Sequence, residues 1–403
     1  MVFGSPRRLN LQLLCSAETP ARDTLNIWPP LPLLIYADEP ETSGVDNVVA
    51  ALECSDRVRE ISISISRSQS KQLWKGMRKP LPELTFLKLE SNNEHEPVSI
   101  LPDSLLGASA PRLRSLFLEY IPFPGLPKLL FSATNLVELT LSTIPPPGYI
   151  SPESMVTGFS TLKRLEKLCL EFEFPQFHPD RENGRLPLPT RSVLPALTYF
   201  KFKGASKYLD ELVARIDIPR LKTFSIIFFE PPSFESPHLV QFIRRTPYSK
   251  EFGKVHITCY FSDAVMVNLS SQTSNRRELN LAVLSTEPNL HITYLTLVCT
   301  SFLPALPTLE DLYINENELG LGHEDWEYYV EDHEWLELLR PFKQLKCCPS
   351  CRIFFLEGLL PSERVQEGIA QFVAARQLTR HPITVSFRDN IPTQDRYTDL
   401  FTL

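Results

Sequence analysis

Leu84-Thr85-Phe86-Leu87-Lys88-Leu89, Leu113-Arg114-Ser115-Leu116-Phe117-Leu118, Leu136-Val137-Glu138-Leu139-Thr140-Leu141 and Leu165-Glu166-Lys167-Leu168-Cys169-Leu170 are four spellings of one pattern. Leucine stands at the first, fourth and sixth place of each. In an extended chain the last two leucines turn to one side and the residues between and around them to the other. Each stretch therefore predicts a short strand with one buried face. With Phe, Ile or Val admitted, the register runs on through Leu197-Phe200-Phe202, Leu221-Phe224-Ile226, Phe252-Val255-Ile257, Ile292-Leu295-Leu297 and Leu309-Leu312-Ile314, and it begins upstream at Leu31-Leu34-Tyr36 and Val58-Ile61-Ile63.

Successive triplets from residue 31 to residue 252 are separated by 27, 26, 29, 23, 29, 32, 24 and 31 residues. This core at this period is that of a leucine-rich repeat, in which each unit buries its apolar face only by stacking on its neighbours. The expectation is an α/β solenoid, a horseshoe with a parallel concave sheet. The segments between strands read as partly helical, at Val45–Leu52, Lys207–Ile216 and Pro237–Arg245. Elsewhere Pro122, Pro124, Pro127 and Pro145-Pro146-Pro147 impose extended or turn geometry. The 36 prolines against 14 glycines are absorbed in this way, between strands, where no ladder hydrogen bond is lost. A doubly wound α/β enzyme would need strong helices between the strands, and the sequence does not supply them.

The solenoid is expected over residues 1–320, with strands from about residue 8, and a C-terminal helical cap over 321–403. Glu324–Phe342 carries Trp326, Tyr329, Val330, Trp335, Leu338 and Leu339 among acids, as an amphipathic helix does. A strand at Arg352–Glu357, a helix from Pro361 to about Gln377 and a last strand at Ile383–Phe387 complete the reading.

At 43% hydrophobic residues and a formal net charge of −7, the 403-residue chain has the apolar content for a large core and no basic excess for nucleic acid. No apolar run approaches a membrane span, and Met1–Arg8 has no signal-peptide pattern, so a cytoplasmic or nuclear protein is expected. The eight cysteines are scattered and suit free thiols in a reducing compartment.

The usual catalytic signatures are missing: no nucleophile elbow, phosphate-binding loop, zinc-protease helix or kinase set occurs. Gly320-Leu321-Gly322 lacks the third glycine of a dinucleotide fingerprint and reads as a turn. Cys348-Pro349-Ser350-Cys351 has the spacing of a redox dithiol or half a zinc site. It lacks a second ligand pair, and a strand-like Ile353-Phe354-Phe355-Leu356 follows where a redox motif would open a helix. It reads as structural. His323-Glu324-Asp325 and Glu331-Asp332-His333 read as a solvated acidic helix face. No enzyme, cofactor or metal is expected.

The outward residues of the strands are the candidate binding surface. They are Phe86, Lys88 and Glu90; Ser115, Phe117 and Glu119; Glu138, Thr140 and Ser142; Lys167, Cys169 and Glu171; Tyr199, Lys201 and Lys203; and Thr223, Ser225 and Ile227. Phe86 and Phe117 are expected to be neighbours, beside an acidic column of Glu90, Glu119 and Glu171 that ends at Lys201 and Lys203. Exposed aromatics set among ordered charge suit a protein partner, and the acids favour a basic segment in it. A monomer is expected.

Several stretches resemble the leucine-rich-repeat F-box proteins of mushroom-forming fungi: Val2-Phe3-Gly4-Ser5-Pro6-Arg7-Arg8-Leu9-Asn10-Leu11, Leu25-Asn26-Ile27-Trp28-Pro29-Pro30-Leu31-Pro32, Ala110-Pro111-Arg112-Leu113-Arg114-Ser115-Leu116, Leu309-Glu310-Asp311-Leu312-Tyr313-Ile314, Trp335-Leu336-Glu337-Leu338-Leu339 and Phe355-Leu356-Glu357-Gly358-Leu359. The resemblance covers nearly the whole length. It implies repeats that capture a protein substrate for a cullin-type ubiquitin ligase, with the adaptor and cullin engaged only through an F-box upstream of the segment that here begins at Met1. Leu81-Pro82-Glu83-Leu84 and Leu101-Pro102-Asp103-Ser104-Leu105-Leu106 look like F-box openings but fall within the repeat register. Such relatives also carry a further strand and helix where only Lys343–Cys351 stands here. The alternative is a free-standing repeat scaffold with no ligase role.

Overall fold

The structure, a computed structural model, describes residues 11–14, 21–27, 29–37, 42–91, 99–174, 191–229 and 237–246. Beyond them it describes the strands at 252–260, 264–271, 278–284, 311–317, 353–357 and 384–388, and helical residues 370, 373 and 374. Two compact units share the chain: Met1–Phe224 with Pro237–Phe242, and Ser225–Ser236 with Ile243–Leu403.

The first unit is α/β. Its elements in order are β1 (Leu11–Leu14), α1 (Ala21–Ile27), β2 (Leu33–Ala37), α2 (Thr42–Leu52), β3 (Val58–Ile65), α3 (Arg67–Gly76), β4 (Phe86–Ser91), β5 (Ser115–Glu119), α4 (Leu126–Ser132), β6 (Glu138–Ile144), α5 (Pro152–Phe159), β7 (Lys167–Phe172), β8 (Ser192–Val193), β9 (Tyr199–Gly204), α6 (Ser206–Ala214), β10 (Ile216–Asp217), β11 (Thr223–Phe228) and α7 (Pro237–Arg245). The division between the units falls within β11 and again within α7. Strands β1 to β7 and β9 form a parallel sheet of eight in chain order. The two-residue strands β8 and β10 pair with each other.

The leucine triplets determine the register. Leu87, Leu116, Leu139, Leu168 and Phe200 are aligned across five strands, as are Leu89, Leu118, Leu141, Leu170 and Phe202, and all ten are buried. The first leucine of each triplet closes a turn. Leu84 N–H donates to Leu81 O, Leu113 to Ala110, Leu136 to Ala133, Leu165 to Leu162, and Leu197 to Leu194. The next residue opens the ladder: Arg114 N–H donates to Thr85 O at 2.8 Å, Val137 to Arg114 at 2.7 Å, Glu166 to Val137 at 2.8 Å and Thr198 to Glu166 at 2.9 Å. Turn and ladder together satisfy the backbone groups that leucine burial removes from water.

The connecting segments cover the apolar side of the sheet. Leu73 and Trp74 of α3, Leu129 and Leu130 of α4, Met155 and Phe159 of α5, and Leu209 and Leu212 of α6 are all buried. Helices pack on their neighbours in sequence, α1 on α2, α2 on α3, α4 on α5 and α5 on α6. Local signals start them: Ser66 and Gln69 form a reciprocal cap on α3, and Ser151 caps α5 ahead of Pro152. The helices expected at Val45–Leu52, Lys207–Ile216 and Pro237–Arg245 correspond to α2, α6 and α7.

Three expectations need correction. In β2 the inward residues are Leu33, Ile35 and Ala37, with Ile35 beside Ile61 and Ala37 beside Ile63. The triplet Leu31-Leu34-Tyr36 is therefore out of phase by one. Since strand side chains alternate with period two, that slip places Leu34 and Tyr36 on the opposite, half-exposed face. In β11, Ser225 and Ile227 are buried, so the alternation that left them outward does not hold there.

The third correction concerns the second unit. There β12 (Phe252–Tyr260), β13 (Ala264–Ser271) and β14 (Glu278–Leu284) form an antiparallel meander, where uninterrupted parallel repeats were expected. Residues 261–263 alone join β12 to β13, a span that suits a hairpin and is far too short for a parallel crossover. Parallel pairing holds from β12 to β15 (Asp311–Asn317), β16 (Ile353–Glu357) and β17 (Thr384–Arg388). Val255, Leu312, Phe354 and Val385 are in register there, and so are Ile257, Ile314, Leu356 and Phe387. The triplet Ile292-Leu295-Leu297, the expected boundary at residue 320, the acidic segment 324–342 and the cysteines at 347–351 lie outside the described residues, as does most of the helix expected at 361–377.

Candidate partner-binding face

The side chains between the buried leucines form the open face of the first unit's sheet. Three rows cross it. Glu60, Phe86, Ser115, Glu138, Lys167 and Tyr199 are aligned in one, and Ser62, Lys88, Phe117, Thr140, Cys169 and Lys201 in the next. In the third, Ser64, Glu90, Glu119 and Ser142 are in register, and further along Glu171 is aligned with Lys203. Between β6 and β7 the register slips after Leu141, where Thr143 has a φ of 48°. Every expected face residue on β4 to β6 and on β9 is half-exposed, while on β7 Lys167 is exposed, Cys169 half-exposed and Glu171 buried.

Phe86 and Phe117 do meet, diagonally across β4 and β5, with ring centroids 5.4 Å apart and planes tilted by 41°. Such a tilted pair adds about 0.5–1.5 kcal/mol beyond its buried area. The acidic column is present but mostly neutralised from within. Lys88 pairs with Glu90 at 2.8 Å, Lys201 with Glu171 at 2.8 Å, and Lys167 with Glu138 at 3.5 Å. Glu119 faces Glu90 directly and has no hydrogen bond or ion pair among the described residues. Burial, and then the Glu90 charge, push its carboxyl above the ordinary range against a smaller opposing pull from Lys88.

The β7–β9 side is a tight polar cluster. Cys169 Sγ donates to Glu171 Oε1 at 3.0 Å. Burial, followed by Glu171, pushes the thiol well above its usual range, and burial likewise raises Tyr199. For Lys201, burial works against the charged form but is outweighed by the hydrogen bond and charge of Glu171, so its ammonium is held more firmly. A thiol kept protonated in this way is the reverse of an activated nucleophile.

Sequence reasoning missed the start of this surface. Tyr36 Oη donates to Glu60 Oε2 at 3.1 Å, so β2 and β3 extend the face. The period-two alternation of Val58–Ile65 carried that signal, but the misphased β2 triplet had turned Tyr36 inward.

Among the described residues no group of three or more His, Cys, Asp or Glu side chains could hold a metal, and no helix is long and apolar enough to cross a membrane. Cys54 and Cys169 are free thiols. No protein-family model matches the chain, and no curated protein matches its sequence.

Proposed function

We propose that this chain is a non-enzymatic recognition scaffold that holds a protein partner against the open face of its parallel sheet. In this reading the strand units are leucine-rich repeats of a solenoid whose concave side is that face, closed by a C-terminal cap. The carrying observation is the Phe86–Phe117 pair, half-exposed among charges that internal ion pairs hold in place. Aromatic rings already fixed in orientation lose little entropy on binding, which is why they dominate interface energetics.

The resemblance to F-box proteins extends the proposal: the face selects a substrate for a cullin-type ubiquitin ligase, in the cytoplasm or nucleus. The deciding experiment is an affinity capture with the full chain, comparing it with a Phe86→Ala/Phe117→Ala variant and with a Lys128→Ala variant. Lys128 is an exposed residue of α4 whose ion pair with Asp103 lies away from the open face. Partners lost only with the aromatic variant support recognition by the open face; partners retained by all three proteins reject it. Adaptor and cullin among the captured proteins would tie the scaffold to a ligase, and their absence beside a retained partner would mark a free-standing scaffold.

A further inference from the structure

The proposed recognition face is not uniformly acidic, and this narrows its partner. Two carboxylates of the column have lysines at 2.8 Å, whereas Glu119 has no such close pair among the described residues and feels only the field of Lys88, which Glu90 already holds. Glu119 is half-buried and registered opposite Glu90. Like charges in directly opposed positions destabilise a sheet, and removing a carboxylate from water without a partner adds to the cost. The fold gains nothing from this arrangement alone. Phe117 stands two residues before Glu119 on the same face, so a carboxylate with no close ion pair borders the aromatic pair.

We infer that the face docks an extended segment of the partner protein through one lysine or arginine, its cationic head at Glu119 and its aliphatic stem across the Phe86–Phe117 rings. This rests on the recognition reading above. The head would relieve the Glu90–Glu119 repulsion, and the stem and rings supply apolar contact with a cation–π contribution. A polybasic run does not fit, because Lys88 lies on one side of Glu119 and Lys201 and Lys203 on the other. The partner motif is thus a single basic residue flanked by apolar ones.

The test is to pan a random peptide library on the full chain and to measure selected peptides against variants. One Lys or Arg at a constant position beside an apolar residue is expected. Affinity should fall about tenfold in Glu119→Gln, should persist in Glu119→Asp, and should be lost in the aromatic double variant. Glu119→Gln removes a repulsion and should unfold no earlier than the parent on heating, so lost binding would not reflect lost structure. Peptides that need the aromatic pair but are indifferent to Glu119→Gln would overturn this inference and leave the recognition reading standing. Peptides indifferent to both variants would overturn both.

Discussion

Strands β4–β6 and β7–β9 share one turn chemistry, yet the inward rows of the first group are all leucine while the second adds aromatic rings to its leucines. Leu87, Leu89, Leu116, Leu118, Leu139 and Leu141 line one part. In the other, Phe172, Phe202 and Tyr208 form a mutually touching trio with centroids 4.8 to 6.2 Å apart, and Phe200, Phe224 and Phe242 form a second group. The connections differ in length: 29 and 23 residues separate the triplets that begin at residues 84, 113 and 136, and 29 and 32 those at 136, 165 and 197. Gly204 makes the remaining room, since a Cβ there would lie 2.8 Å from Phe202 Cζ and 2.9 Å from Phe172 Cδ2. Backbone register and core volume are thus separable in this fold, the first set by period and the second by local accommodation.

Cavity formation gives the largest effect that can test this contrast. Phe202→Ala should cost about 3–5 kcal/mol and Leu118→Ala about 2–5 kcal/mol, read by urea unfolding, with Phe202→Ala the more damaging because the Phe172 and Tyr208 rings both lose a neighbour. Equal costs would show that the rings contribute only by volume. Gly204→Ala should destabilise by about 1–3 kcal/mol through overpacking, and adding Phe202→Leu should recover part of the loss. If the double variant is worse than either single change by their sum, the Gly204–Phe202 fit is not the cause.

A smaller effect is expected from Tyr208→Phe, about 1 kcal/mol, since the fully buried hydroxyl donates to Ile150 O at 2.9 Å and leaves that carbonyl unpaired when removed. The smallest separates the two halves of the open face. Glu119→Gln should stabilise by about 0.5 kcal/mol at neutral pH by ending the opposition to Glu90, whereas Glu171→Gln, which leaves the half-buried Lys201 without its carboxylate, should destabilise.

The pH dependence of Glu119→Gln has a defined sign. A carboxyl raised in the native state binds its proton more tightly there than in the unfolded chain, so acidification through the raised value stabilises the native protein. The advantage of Glu119→Gln over the parent should therefore be full at neutral pH, shrink as the parent's Glu119 takes up its proton, and vanish below the ordinary value of 4.5. Taking the difference between the two proteins cancels the similarly raised Asp210, whose carboxyl is shifted first by burial. A difference that grows on acidification would reverse the assignment.

Much of this was legible because burial follows a short-range rule. Any strand with leucines at alternating positions must turn them one way, so Phe86, Lys88, Glu90, Phe117 and Glu119 could be placed on a common face without coordinates. Leu31–Ala37 was misphased because that stretch offers two overlapping sets of apolar residues, and only pairing with Ile61 and Ile63 chooses between them. The meander at β12–β14 was hidden for a related reason. Phe252-Val255-Ile257 has the triplet spacing, but strand direction depends on the length of the connection that follows.

The amino-acid sequence by itself determined the strand period and, from β4 to β9, the identity of the buried rows and the composition of the open face, because side-chain alternation is a property of the extended backbone. Only the tertiary structure decided which acids on that face were neutralised. Lys88 pairs along its own strand and Lys201 reaches diagonally to Glu171, while Glu119 meets another carboxylate. The last two outcomes depend on cross-strand register to within one residue, and register arises from the packing of whole neighbouring units.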